Sequence, residues 1–138
     1  MHVAPWPSEG TATPGTRKPA RTIDQPLDAP LQTFSLAEAI ARLRAEPAFA
    51  ERKVNSMTLH KGPGLRVVAV AMRAGAKLKT HKAEGELELH VISGRVKVPT
   101  GAGTVTLEAG RLLTLHPGVE HSVEALDESA LLLTLSVP

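Results

Sequence analysis

From Met57 onward, turn residues break the chain before any apolar stretch grows long enough for a helix. The breaks fall at Gly75, Gly85, Gly94, Gly101 with Gly103, Gly110, Pro117-Gly118 and Asp127, and Gly75, Gly94 and Gly110 are expected where hairpin turns need positive φ or close backbone approach. Between them lie the segments 65–72, 77–81, 87–93, 95–98, 104–107, 111–116, 121–125 and 131–137, rich in Leu, Val and Thr. Short segments spaced this regularly predict about eight strands in an all-β sandwich or barrel. No helical pattern interrupts them, which argues against a parallel α/β sheet. The segment LRVVAVAM (65–72) is apolar at both alternating sets of positions, as a strand buried between two layers must be.

The chain ahead of this region reads differently. Residues 1–33 carry six of the eleven prolines and no periodic apolar pattern, so they are expected to form an extended or disordered arm. Ser35 and Glu38 then form an S-x-x-E helix start, with Phe34 just before it. Leu36, Ile40 and Leu43 recur at helical spacing, and Pro47 ends the pattern. Residues 34–56 are therefore expected to be one short amphipathic helix and a linker. The apolar stripe of that helix needs a surface to pack on, and the outside of the sheet that follows offers one. Residues 57–138 form the barrel.

Composition narrows the function. With 138 residues the chain has the length of one domain. It contains no cysteine, which excludes disulfides, thiolate nucleophiles and Cys-based zinc sites. Aromatics are 2% of residues, too few for a base-stacking platform, and the net charge is only +2 with Lys and Arg scattered; no nucleic-acid partner is expected. No stretch has the length of a membrane span, and the MHVAPWPSEG start lacks the apolar region of a secretory signal. The expectation is a cytoplasmic protein with no membrane partner. A phosphate-binding glycine loop, a G-x-S-x-G elbow and an H-E-x-x-H helix are all missing.

Two segments are more specific than the strand count. One runs Gly75-AKLKT-His81-KAEGELELHVIS-Gly94 and the other Gly110-RLLTL-His116-Pro117-Gly118-VE-His121. Together they resemble the two motifs of the cupin family, over about residues 57–137. The resemblance implies a double-stranded β-helix, the jelly-roll barrel of RmlC-like and cupin type-2 proteins, with motif residues gathered inside it. It also implies a homodimer, a small-molecule ligand and, in most members, one divalent metal (Fe, Mn, Ni, Cu or Zn). His81 and His121 fall on metal-ligand positions. Ala83 replaces the second histidine of the first motif, and Leu87 its glutamate. His116 stands for the proline of the second motif, and Ala125 for its asparagine. The resulting H-x-A-x-G variant is similar to small bacterial stand-alone cupins, mostly of unassigned activity.

Three readings of the site stay open. His81 and His121 can hold a metal with help from His60 or His116, as in a dioxygenase or isomerase. A one-residue slip at Gly85 can turn Glu86, Glu88 and His90 inward. Or the interior is metal-free, lined by Ala83, Leu87, Leu89, Val91 and Leu113, and captures a small apolar or carboxylated ligand as a binding or sensor barrel. In that case Lys77, Lys79 or Arg66 near the mouth can pair with an anion, or His81 can act as a general base. Which residue is catalytic, if any, is not readable from the sequence.

Overall fold

The computed structural model describes residues 26–138. The part of the expected arm at residues 1–25 lies outside them. Residues 26–33 form neither helix nor strand, and the Lys61 amide donates to the Leu27 carbonyl at 2.9 Å. Helix α1 (Leu36–Ala45) starts on Ser35, whose hydroxyl accepts the Glu38 amide at 3.2 Å. Pro47 does end this helix, but it also opens a second one: α2 (Pro47–Arg52) has proline in its first turn, where the missing N–H costs nothing. The segment expected to be a linker is thus largely helical.

Nine strands follow: β1 (Val54–Lys61), β2 (Leu65–Met72), β3 (Lys77–His81), β4 (Leu87–Ser93), β5 (Arg95–Thr100), β6 (Gly103–Glu108), β7 (Leu112–Leu115), β8 (His121–Ala125) and β9 (Ser129–Ser136). They form a five-stranded sheet, β1-β2-β9-β4-β7, and a four-stranded sheet, β3-β8-β5-β6, with every pair antiparallel. The facing sides enclose one aliphatic layer that includes Val68, Val70, Leu89, Val91, Val96, Val98, Val123, Leu131 and Leu133. The helices cover the outside of the larger sheet. Ile40, Leu43 and Phe49 meet Met57, Leu59, Ala69, Ala71 and Ala130 there. β2 is therefore apolar on both faces because both are buried. Asn55 fixes the helices to β1, donating from Nδ2 to the Leu43 carbonyl at 3.0 Å and to Glu46 Oε1 at 2.8 Å.

The glycines do a different job from the one their spacing predicts. Gly75, Gly94 and Gly110 are not hairpin turns. Each lies where the chain leaves one sheet for the other, as does Gly118, and all four have positive φ. Gly94 is the most constrained. Its φ is 87°, and a β-carbon there would overlap the Glu128 carbonyl oxygen and Ser129. β4 and β5 accordingly are not hairpin partners, and Lys97 does not face the glutamates around β4. It stands opposite Glu124 on β8, with Lys77 on the far side of the same glutamate.

The corner geometry makes a prediction. Gly110→Ala meets open space and carries only the left-handed penalty of roughly 1–2 kcal/mol. Gly94→Ala adds overlap with backbone on the neighbouring strand. Urea unfolding of both variants should show Gly94→Ala as the more destabilised, with the loss in Gly110→Ala limited to about 1–2 kcal/mol.

Candidate functional site

Strand alternation decides which side chains reach the interior. On β4, Leu87, Leu89 and Val91 point inward, and Leu87 is only 2% exposed. Glu88 and His90 lie on the opposite face, and Glu86 is exposed in the preceding loop. The one-residue slip at Gly85 therefore does not occur. Gly85 serves instead as a close approach, since a β-carbon there would overlap the Ser136 carbonyl. Ala83 is buried with the same layer, and Leu113 packs partly buried against it.

His81 ends β3 and His121 opens β8, and the two are direct partners across the ladder. Their ring centroids are 5.9 Å apart with the planes at 75°. Thr100 on β5 stands on the other side of His121, and Gly103 on β6 follows it. His121 is 2% exposed. Its Nδ1 lies 3.0 Å from the Val119 carbonyl, which can only accept, so Nδ1 carries the proton and Nε2 the lone pair of the neutral ring. Burial holds His81 below the ordinary histidine value, and the neighbouring His121 pushes the same way. Burial also lowers His121, against an upward pull from the Val119 carbonyl. Both rings are thereby kept neutral near pH 7.

His60 and His116, the two candidate helpers, do not join them. His60 is outward on β1, opposite Val67, with Nδ1 2.7 Å from Gln32 Oε1. His116 is exposed in the β7–β8 loop. Among the described residues, no group of three His, Asp or Glu side chains converges to hold a metal. Two imidazoles on a common ion, each about 2.1 Å from it, put their centroids roughly 4.5–5.5 Å apart at right-angle to tetrahedral openings, somewhat closer than the 5.9 Å observed here. The residues present do not make up a metal site by themselves.

Alternation also reveals inward residues the motif reading passed over. Val105 on β6 pairs with Val98 and faces inward, yet is 43% exposed. Leu115, opposite Leu87, is only partly buried. The interior is thus open to solvent along the β6–β7 side, where Gly103 contributes no side chain. Arg66 pairs with Leu135 and so also points inward; it is half-buried, and its Nε is shut off from solvent. Lys77, in contrast, lies opposite Glu124 on the outer face. The 2-residue period of strand 103–108 was the signal available for Val105, whereas Arg66 is one of the residues expected near the mouth.

No family model and no curated protein matches the sequence. Solved structures do match. A conserved protein of unknown function from Streptococcus pyogenes superposes with a TM-score of 0.66 at 17% identity, covering 82% of this chain and 93% of that one. This share exceeds what residues 54–138 alone can supply, so the match extends into the helical region. An RmlC-like cupin from Desulfovibrio desulfuricans gives 0.59 at 22% identity, over 67% of this chain and 90% of that one. A cupin 2 conserved barrel domain protein from Leptotrichia buccalis gives 0.59 at 28% identity; 63% of this chain matches 42% of that longer one. The double-stranded β-helix with its two interior imidazoles is therefore a cupin barrel. More narrowly, the chain has the fold of a small RmlC-like, cupin-2 domain. No helix among the described residues is long and apolar enough to cross a membrane.

The depressed imidazoles predict a pH dependence of stability. The unfolded chain takes up protons near 6.5, while the folded rings resist them until lower pH. Stability is therefore full above about pH 6.5 and falls as pH drops through the window below it. Urea midpoints measured from pH 7.5 to 5 should decline in that window. The decline should be smaller in the His81→Gln/His121→Gln double variant.

Proposed function

We propose that this cupin barrel is a metal-free binding module that takes a small, largely aliphatic ligand into its interior. One observation carries the reading: inward-facing apolar side chains that solvent still reaches, Val105 above all, beside two neutral imidazoles. An aliphatic residue facing inward but left 43% exposed keeps apolar surface in water, at a cost of about 25 cal/mol per Å² that a ligand recovers on binding. Ala83 and Leu87 extend the apolar wall where donor side chains would otherwise stand. His81 and His121 then serve as hydrogen-bonding groups, with Nε2 of His121 as an acceptor.

One observation favours a second reading, a mononuclear metal enzyme of dioxygenase or isomerase type. A histidine that ligates a metal usually gives its other N–H to a carbonyl or carboxylate, and His121 does so to Val119. Such a site would need solvent or substrate for its remaining ligands. Self-association into a homodimer belongs to the same proposal. Leu65 and Leu112 are exposed on the outside of the larger sheet, beyond the helices, and burying them against a second copy would remove them from water.

Metal analysis separates the first two readings. The purified protein should contain less than a tenth of an equivalent of transition metal, and 1-hexanol should raise its melting temperature in a chelator-containing buffer. A stoichiometric metal that His81→Ala loses would establish the metal enzyme instead.

A further inference from the structure

We infer that the free edge of β6 is an interface between two copies of this chain, with one β6 pairing antiparallel to the other about a two-fold axis at Val105. This edge belongs to the smaller sheet and is a separate surface from the Leu65 and Leu112 face of the larger one. It does not rest on the ligand reading, because backbone groups outside the interior carry it.

The two sheets end in the edge strands β1 and β7, and β3 and β6. A bare edge is a template for another strand, and proteins blunt such edges with lysines, bulges, shortness or cover. β1 is covered at Lys61, whose amide donates to the Leu27 carbonyl at 2.9 Å. β3 has a register shift between Leu78 and His81 and exposes Lys77 and Lys79. β7 is only four residues long. Among the described strands, β6 alone has none of these devices. Its sequence is GTVTLE, it pairs with β5 without a register shift, and every residue but Leu107 is exposed. Its one charge, Glu108, stands at its end.

The neighbouring ladder fixes which way the β6 backbone points. The Gly101 amide donates to the Glu120 carbonyl at 2.9 Å, and the Leu126 amide to the Arg95 carbonyl at 2.9 Å. Val98 and Thr100 therefore turn their own N–H and C=O groups away from β8 and toward β6, where they meet Val105 and Gly103. Alternation then aims the N–H and C=O of Thr104 and Thr106 at the free edge, and both residues are exposed. Glu108 points the same way, but its carbonyl already accepts the Arg111 amide at 3.0 Å. The open run is thus Thr104 to Thr106, centred on Val105. A second copy in that register sets Thr104 opposite Thr106 of the partner subunit as a doubly hydrogen-bonded pair, and the two-fold repeats it. Val105, which is 43% exposed, stands opposite its own copy in a non-hydrogen-bonded pair, where side chains come closer. Leu107 stands opposite the partner's Gly103, where even a β-carbon would meet nothing within 4 Å. Glu108 falls opposite Ala102, so no like charges meet. Pairs of threonines and of β-branched residues stabilise such a ladder. Because the same residues serve both copies, the assembly closes as a dimer.

Sedimentation velocity of the full chain tests this. The wild type should pass from monomer to dimer as its concentration rises from about 1 to 100 µM. Thr106→Pro removes an amide that faces water and leaves the β5 ladder intact, so it should fold and raise the dissociation constant about tenfold or more. Two double variants, which change only exposed side chains, test the register and decide the matter if Thr106→Pro does not fold. Thr104→Lys/Thr106→Lys sets lysine against lysine and should stay monomeric. Thr104→Lys/Thr106→Glu sets opposite charges together and should dimerise at least as tightly as the wild type. A wild type that is monomeric throughout overturns the inference and leaves the ligand reading as it was. Equal behaviour of the two double variants also overturns it. So does a dimer that Thr106→Pro leaves intact, or one that Leu112→Lys alone dissociates.

Discussion

The structure depends on filling one inward face, built by nine strands in two sheets, with aliphatic side chains alone. Among the described residues no aromatic takes part in that layer, so Leu and Val must close the volume through numbers and interdigitation. The consequence is a strict alternation. Each inward position of β4, β8 and β9 is apolar apart from His121 and Ser129. Polar side chains that break the pattern therefore stand out against a uniform background, and His81, His121, Thr100 and Arg66 break it in the rows nearest one end.

Much of this was legible in the sequence because strand alternation is local. The segments 65–72, 77–81, 87–93 and 121–125 coincide with β2, β3, β4 and β8. The pairing of His81 with His121 followed from a motif resemblance whose spacing encodes the jelly-roll path. What the sequence hid was sheet membership. A glycine with positive φ looks the same in a hairpin and in a corner that carries the chain between sheets, so Gly94 read as a turn joining partners. Only the ladder shows that β4 pairs with β7 and β9 while β5 pairs with β6 and β8. The second helix was hidden for another reason: proline at a helix start and proline as a helix breaker leave the same mark until the flanking backbone is known.

Two of the corners show how the fold holds its two layers in register. At Gly94 the chain passes so close to Glu128 and Ser129 that no side chain fits, and the Arg95 amide donates to Ser129 Oγ at 3.0 Å. At Gly85 the approach is to Ser136, whose hydroxyl accepts the Glu86 amide at 2.8 Å. Both ends of β4 are thus pinned to the two ends of β9. That pinning fixes Leu87 as an inward residue and denies the slip that would have exchanged it for Glu86 or Glu88. The identity of the interior wall is set by these serines and glycines, at a distance from the histidines.

The exchange of a carboxylate for Leu87 has an electrostatic meaning beyond the loss of a donor. Position 87 shares an inward row with Leu135 and Arg66. A glutamate there would place a negative charge in that row, whereas leucine adds apolar surface to it. The two imidazoles, held neutral by burial, add hydrogen-bonding capacity without adding charge. The features that weaken the case for a metal are the same ones that make the interior wall apolar. Ala83 and Leu87 line it with aliphatic surface, while the framework of strands and corners around them stays as it is.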